Sequence, residues 1–289
     1  MEISYLIIAY NDAAKLPRCL SSCALAAVSS GLSFEIIVVD NGSADETPQV
    51  LDSYQEVLGG RLTVIRLKRN TGTTYSRNRA LQRASGRFLC ILDSDAELLD
   101  KDLRPVLGLL DEFPELGIVG PCIIMPDGSI YNSAKRLPTL SDKLLKLPHI
   151  CLGLPPVNRD FYPRFPFNYV RCVQTVISCC WFLRREVAER VGPLDERIFY
   201  APEDVDYCLR CWLNGLAVAY LPHLRVLHHT KQLTHKRPVS PTALSHLKGL
   251  FYYWHKHRYL FSRQKLAKKW VEPLSAQLDP LLGAWQPPS

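Results

Sequence analysis

No stretch of this sequence runs about eighteen apolar residues without a break, so nothing in it reads as a membrane-spanning helix. The opening residues, MEISYLIIAYND, carry an acid where a secretory leader needs bases, and their apolar core is short. A cytoplasmic chain is therefore expected. Internal repeats and low-complexity tracts are lacking as well, which excludes a repeat array as the architecture. The ten cysteines follow no repeated spacing, and most, such as Cys90, Cys122, Cys179 and Cys180, sit among apolar residues. They read as reduced core thiols and not as a disulfide framework. Cys208 and Cys211 form one Cys-x-x-Cys, but no second pair accompanies it, and the nearest histidine, His223, lies twelve residues on. A structural zinc site needs four ligands at matched spacing, so these two are expected to be core as well.

What is present is a length of 289 residues, 47% hydrophobic and 22% charged, enough to bury one large core or two small ones. ISYLIIA (3–9), FEIIVVD (34–40), LTVIRL (62–67) and RFLCILD (87–93) are β-rich runs of strand length. Between them lie 13–29, 44–58 and 73–85, each long enough for a crossover helix. The second of these opens with Ser43 and Glu46 at capping-box spacing. Such alternation predicts an α/β fold with a mostly parallel central sheet covered by helices on both faces. Ligands of these sheets bind at the carboxyl ends of the strands. Tyr10-Asn11, Asp40-Asn41, Asn70 and Asp93-Ser94-Asp95 all fall where a strand finishes, so their loops should converge on one crevice.

The later half is less regular. Seven prolines between 126 and 170 mark a loop-rich insertion over the cleft. TVISCCWFLRREV (175–187) reads as a strand running into a helix, and APEDVDYCLRCWLNG (201–215) as a helix with acids in its first turn and a glycine stop. LAVAYLPHLRVLHH (216–229) reads as a strand pair broken by Pro222.

Two carboxylates on the turn at Asp93 and Asp95 repel each other unless a cation or hydrogen-bond donors compensate them. A divalent metal bridging to a diphosphate is the usual compensation, and Mg²⁺ or Mn²⁺ suits hard oxygen ligands. Here the sequence resembles the family 2 glycosyltransferases of the GT-A (Rossmann-like) fold, particularly rhamnosyltransferase-like members. The matching segments are IIAYND (7–12), VVDNGSADET (38–47), RNTGTTYSRNRAL (69–81), ILDSDAEL (91–98), EDVDYCLR (203–210) and VLHH (226–229). They come in the family's order and cover roughly residues 3–230.

The resemblance implies inverting transfer of a sugar from a nucleotide-diphosphate donor, UDP- or dTDP-linked, to a glycan or lipid-linked acceptor. Tyr10, Asn11 and Asp40 would meet the nucleoside, Asn70 and Arg79 the nucleotide and phosphate side, and Asp93 with Ser94 the ribose or metal. Asp95 would be the main metal ligand and Asp204 the general base. His228, 24 residues beyond Asp204, has the spacing at which family members place a metal- or phosphate-contacting histidine. One departure stands out: Thr73-Thr74-Tyr75-Ser76 replaces the glycine-rich stretch that relatives often have after Asn-x-Gly.

The residues support the base independently. An inverting displacement needs a carboxylate to accept the acceptor's proton, and Glu203 and Asp204 follow Pro202 at a helix start, where the helix dipole favours ionised carboxylates. The competing expectation is that these acids, with Asp206, only decorate the first turn. Trp181 and Glu203 are the candidate acceptor contacts, with burial in the core the alternative for Trp181. A sugar nucleotidyltransferase is a rival enzyme, but AYNDAAKLP contains no glycine for a phosphate-cradling loop. A non-catalytic nucleotide-sugar or carbohydrate-binding subunit would not need Asp204.

The formal charge of +7 concentrates late in the chain. Residues 244–270 hold seven lysines and arginines and no acid, which fits one terminal segment better than a nucleic-acid groove. Leu247, Leu250, Phe251 and Trp254 recur at helical spacing beside this basic face. The segment is expected either to pack on the catalytic domain or to rest on an anionic membrane surface at the inner face of the cell membrane. The expected organisation is a catalytic domain over 1–240, with a nucleotide-binding half (1–98) and an acceptor half (99–240), followed by a basic aromatic extension (241–289).

Overall fold

The four β-rich runs become β1 (Ile3–Ala9), β2 (Phe34–Asp40), β3 (Leu62–Arg66) and β4 (Phe88–Asp93). They are joined by α1 (Leu16–Ser29), α2 (Thr47–Leu58) and α3 (Thr73–Arg83). The computed structural model describes residues 1–146, 153–155, 157–229 and 241–287, with side chains from 244 in the last stretch. The strands are parallel, in the order β3-β2-β1-β4. Ala9 pairs with Asp40 and Ile8 with Asp93, so three strand ends come level and their loops share one edge.

Beyond β4 the chain forms β5 (Ala96–Leu98), α4 (Arg104–Glu112) and β6 (Leu116–Ile124). The short pieces β7 (Ala134–Lys135), α5 (Leu140–Leu144), β8 (Arg171–Cys172) and β9 (Thr175–Val176) follow. Next, β10 (Cys180–Arg184) runs into α6 (Arg185–Val191), and α7 (Glu203–Leu213) precedes β11 (Ala217–His228). The main sheet reads β3-β2-β1-β4-β10-β6-β11-β5, with β8 on β11. The first four strands are parallel as expected. The second half is mixed, because β10 runs against β4 and β6, and β5 and β8 against β11. This is the α/β arrangement expected of a GT-A domain.

Two local expectations change. Ser43 and Glu46 form no capping box: α2 starts at Thr47 without a side-chain cap at Glu46. Ser43 instead accepts from the Asn11 amide at 3.0 Å, a contact across the loops that a local spacing rule does not see. The strand pair around Pro222 is one strand, with its register to β6 shifted between Leu221 and Arg225. Proline is tolerated in that irregularity because no ladder donor is needed there. Of the prolines in the insertion, Pro148 and Pro156 lie outside the described residues, as does the 230–240 segment around the expected domain boundary. The nine cysteines among the described residues are free and buried.

The C-terminal segment forms α8 (Pro241–His257) and, after a short irregular helical stretch, α9 (Glu272–Ala284). The buried face of α8 is Leu250, Tyr253 and Trp254, packed with Leu137, Leu209 and Tyr259 in a second core cluster. Leu247 and Phe251, expected on the same stripe, are about half exposed. Gly249 allows the close crossing, since a Cβ there would stand 2.1 Å from the Ala201 carbonyl oxygen. In α9, Leu278 and Leu282 join the main core, and Asp279 accepts from the Cys172 amide of β8 at 2.6 Å.

Arg184 ends β10 with its side chain nearly wholly buried, donating to the carbonyls of Leu110, Phe113, Pro114 (2.6 Å) and Leu116 (3.0 Å). Carbonyls at a helix C-terminus have no partner within the helix, and here one guanidinium supplies the end of α4. Arg184→Met keeps the stem and removes the donors, so about 3 kcal/mol of stability should be lost. The check is a lower urea midpoint with an unchanged slope. A midpoint equal to that of the unmodified protein would mean that water replaces the guanidinium.

Candidate active site

The Asp93-Ser94-Asp95 turn gathers groups from four other segments. Arg77 of α3 is buried and donates to Asp93 at 2.8 Å, to Glu203 at 3.0 Å and to the Ser178 carbonyl at 3.0 Å. Glu203 also accepts from the Ser178 hydroxyl at 2.8 Å. One guanidinium thus ties the end of β4 to the start of α7. Arg79, the arginine expected to face the phosphates, lies on another side of α3, over the Tyr75 ring and 3.6 Å from Glu196. Residues two apart on a helix do not share a face, and nothing local in RNTGTTYSRNRAL says which arginine points inward.

Asp95 is held from two directions. His228 Nε2 lies 3.1 Å from one carboxylate oxygen and Lys15 Nζ 3.3 Å from the other. The sheet brings His228 there: β11 pairs antiparallel with β5, and the His229 amide donates to the Asp95 carbonyl at 2.8 Å. His229 turns instead to Glu97 at 3.4 Å. Asp93, Cys179 and His228 each present a ligand-type atom within 4.8 Å of the others. Cys179, read from sequence as plain core, reaches this group because β10 starts beside the end of β4; its backbone carbonyl accepts from the Asp93 amide at 2.9 Å. Lys15 had no sequence signal either, being the residue before a helix begins.

Burial raises the Asp93 carboxyl, and repulsion from Asp95 adds to it against the pull of Arg77. Burial also acts on Asp95, but His228 and Lys15 outweigh it and hold that carboxyl low. The Cys179 thiol is pushed up to about 12 by burial, so it stays protonated near neutrality. Burial works against the proton on the His228 ring, yet the Asp95 carboxylate 3.1 Å away holds it and raises the ring above its ordinary value. Two carboxylates and an imidazole are a donor set that fits a hard divalent cation, with Lys15 and the His228 proton as the charges it would replace.

The remaining expected residues line the same edge. Ser94 donates to Asp12 at 2.7 Å, and Asp12 also pairs with Lys15 at 3.1 Å. Tyr10 is exposed, and Asn11, at a positive φ of 51°, accepts from the Ala44 amide at 2.8 Å. Asp40 is buried and accepts from the Ser43 amide at 3.0 Å. Asn70 bonds the Asn41 amide at 3.1 Å and the Gly72 amide at 2.9 Å. Gly72, with φ +86°, starts α3 beneath the Phe199 carbonyl, which accepts from the Thr73 amide at 2.7 Å. A Cβ at Gly72 would stand 2.2 Å from that oxygen, so the close approach at the start of α3 requires glycine.

The acids of α7 part company. Glu203 is locked by Arg77 and Ser178, and burial pushes it up to about 7, with Asp204 adding to the rise. Asp206 is clasped by Lys256 (2.7 Å), His257 (2.8 Å) and Arg210 (3.1 Å). Asp204 is half-buried and accepts only from the Val205 amide, at 2.8 Å, among the described hydrogen bonds. Burial raises its carboxyl, and Lys135, Arg77 and Lys143 work against that rise. Trp181 is wholly buried, stacked on Tyr207 at 5.7 Å with its indole N–H on the Val176 carbonyl, and has no face in the cleft.

A family model, glycosyl transferase family 2, matches residues 4–192. The chain is 28% identical over 286 residues to N-acetylglucosaminyl-diphospho-decaprenol L-rhamnosyltransferase of Mycobacterium tuberculosis, covering 92% of this chain and 86% of that protein. Among solved structures, the mannosyltransferase PcManGT of Pyrobaculum calidifontis superposes with a TM-score of 0.61 at 17% identity, over 89% of this chain and 64% of that one. GalNAc-T7 does so with a TM-score of 0.62 at 15% identity, over 96% of this chain and 58% of that one. The chain therefore spans less than two thirds of either solved structure, and at these identities the likeness is one of fold. The family model covers most of the strands and crossovers described above together with the Asp93–Asp95 turn, and the chain belongs to glycosyl transferase family 2.

Proposed function

We propose that the protein is an inverting glycosyltransferase that moves a sugar from a UDP- or dTDP-linked donor to a glycan or lipid-linked glycan acceptor. The observation that carries this reading is the Asp93–Arg77–Glu203 chain, which ties the carboxylate turn to the start of α7. Asp95, Asp93 and His228 would hold Mg²⁺ or Mn²⁺, which when bound neutralises charge on the leaving diphosphate. Tyr10, Asn11, Asp40 and Asn70 line the nucleoside side. Arg77 holds Asp93 in place, while Glu203 keeps Arg77 in place and leaves its neighbour Asp204 free to take the acceptor's proton. The relative's name, with its decaprenol-linked diphosphate, supports a lipid-linked acceptor and a role in making envelope polysaccharide. Two solved relatives crystallised with Mn²⁺, one with UDP and GalNAc and the other with GDP-Man, support the metal and donor class.

The outer surface of the C-terminal segment supports work at a membrane. Among the described residues, no helix is long and apolar enough to cross one. Leu244, Leu247 and Phe251 nevertheless lie exposed at helical spacing on α8, and Phe261 is exposed beyond it. Lys248, Lys265, Lys268 and Lys269 are exposed nearby, whereas Lys256 and Arg263 are committed to Asp195, Asp206 and Asp142. An exposed apolar stripe with exposed lysines in the same C-terminal segment matches an anionic lipid surface, each base near it contributing roughly 1 kcal/mol.

Three outcomes test this reading. A panel of nucleotide sugars incubated with the protein and Mn²⁺ or Mg²⁺ should show slow donor hydrolysis, and Asp95→Asn should abolish transfer together with metal-dependent nucleotide binding. Full activity in excess chelator would remove the metal from the mechanism. Asp204→Asn keeps the shape and loses the proton acceptor, so donor binding should survive while turnover falls by about 10²-fold or more. A mutant that loses donor affinity but keeps its saturated rate would reassign Asp204 to binding. In liposome flotation, recovery should need anionic lipid, weaken with salt, and fall when Lys265, Lys268 and Lys269 become Gln. Equal recovery with neutral vesicles would leave only a packing helix.

A further inference from the structure

The insertion between β6 and β10 carries a second concentration of charge that the donor site does not use. Lys135 lies on β7, held beside Thr175 of β9, and a further bridge pairs it with Phe161. Its ammonium stands 5.3 Å from the centre of the Tyr131 ring and 5.4 Å from that of Phe161. Lys146 approaches the same Phe161 ring at 5.1 Å and pairs with the buried Asp160 at 2.8 Å. Lys143, on α5, is half-buried and has no carboxylate at salt-bridge distance among the described residues. Burial pushes this lysine down to about 8, and the ammonium groups of Lys146 and Lys135 add to the fall. Asp160 and Asp204 pull the other way.

The charges do not balance. Asp160 is taken by Lys146, and Asp204 is already within range of Arg77. Lys135 and Lys143 therefore have no anion of their own among the described residues: Lys135 sits on a wall made by Tyr131 and Phe161, and the Lys143 carbonyl accepts from the amide of Lys146, which meets the same Phe161. The wall lies against α7, since β7 pairs with β9 and the β9 carbonyl of Val176 is 3.7 Å from the Sγ of Cys208, one turn on from Asp204 on the same face. Like charges gathered in a partly desolvated place are costly, and a ligand carrying two or more negative charges relieves that cost better than a single carboxylate. Lysine serves as a mobile point charge for phosphate.

We propose that Lys135 and Lys143 form an anion subsite beside Asp204 that takes the phosphate or diphosphate of the acceptor, close to the hydroxyl that reacts. This rests on the reading of Asp204 as the base, and it gives the acceptor a chemistry: a sugar carried on a phosphorylated group. The same chemistry could come from the donor's own diphosphate, and the test separates the two sources.

The probe is a short-chain alkyl diphosphate, titrated calorimetrically into the full chain in excess chelator, where the donor side has no metal to recruit it. The unmodified protein should bind it, and the uncharged alkyl alcohol of equal length should bind far more weakly. Lys135→Met/Lys143→Met should weaken the diphosphate by about tenfold or more, while Lys143→Arg in an otherwise unmodified chain should keep most of the affinity. Thermal melting of each variant checks that the insertion still folds. The subsite is overturned by equal affinity for the alcohol, by no binding to the unmodified protein, or by a folded double variant that binds as well as before. Displacement of the probe by the nucleotide that the donor panel identifies would assign the lysines to the donor and overturn it too. Failure of the base assignment reads elsewhere, in the turnover of Asp204→Asn, and does not move this binding constant.

Discussion

A buried guanidinium between two carboxylates is the constraint on which the rest of the site depends. Arg77 is almost without solvent exposure, and Asp93 and Glu203 both bond it from segments more than a hundred residues apart. A charge taken out of water at that depth is tolerated only if its partners are present and well placed, and removing one partner leaves the others stranded. The end of β4 and the start of α7 cannot therefore drift independently. The Ser178 carbonyl and hydroxyl, closing the same network, bring in the turn before β10 and with it Cys179. Four acids, Asp93, Asp95, Glu203 and Asp204, stand near one another because Arg77, Lys15 and His228 are interleaved among them.

The first turn of α7 shows how one short sequence serves three purposes. Glu203 faces the interior and completes the arginine network. Asp206, two residues beyond Asp204, faces α8 and receives Lys256 and His257, which with Arg210 make a second, separate ion cluster. Asp204, between them, is turned toward neither partner. The helix period alone separates these directions. It also explains why the C-terminal segment bears on the site: α8 grips the same helix turn that supplies the proposed base, with Gly249 letting the two backbones meet.

Charge is divided in the same way across the surface. On the C-terminal segment, Lys256 and Arg263 are structural, holding Asp206 and Asp142, while Lys248, Lys265, Lys268 and Lys269 remain exposed. In the insertion, Lys146 is structural and Lys135 and Lys143 are not. A basic segment read as a single patch thus separates into bases that fold the chain and bases left over for partners. The proposed acceptor subsite and the proposed membrane face are both built from the second kind.

Much of this could be read along the chain. The strands β1, β2, β3 and β4, the crossover helices, the carboxylate turn at a strand's end and the acids at the start of α7 follow from local apolar periodicity and helix-end chemistry, which act over a few residues. Tertiary structure alone decided which side chains meet. Arg77 and not Arg79 turns inward because of where α3 lies against the sheet, and Trp181 is core because β10 is a central strand. Lys15 and Cys179 reach the Asp93–Asp95 turn, and Leu247 and Phe251 stay outside, through packing between segments far apart in sequence. His228 was suggested by spacing, but its place beside Asp95 needed β11 to run past its bulge as one strand and pair with β5. Local propensity carries no information about such pairings, since they are fixed by which buried surfaces and buried charges can be satisfied together.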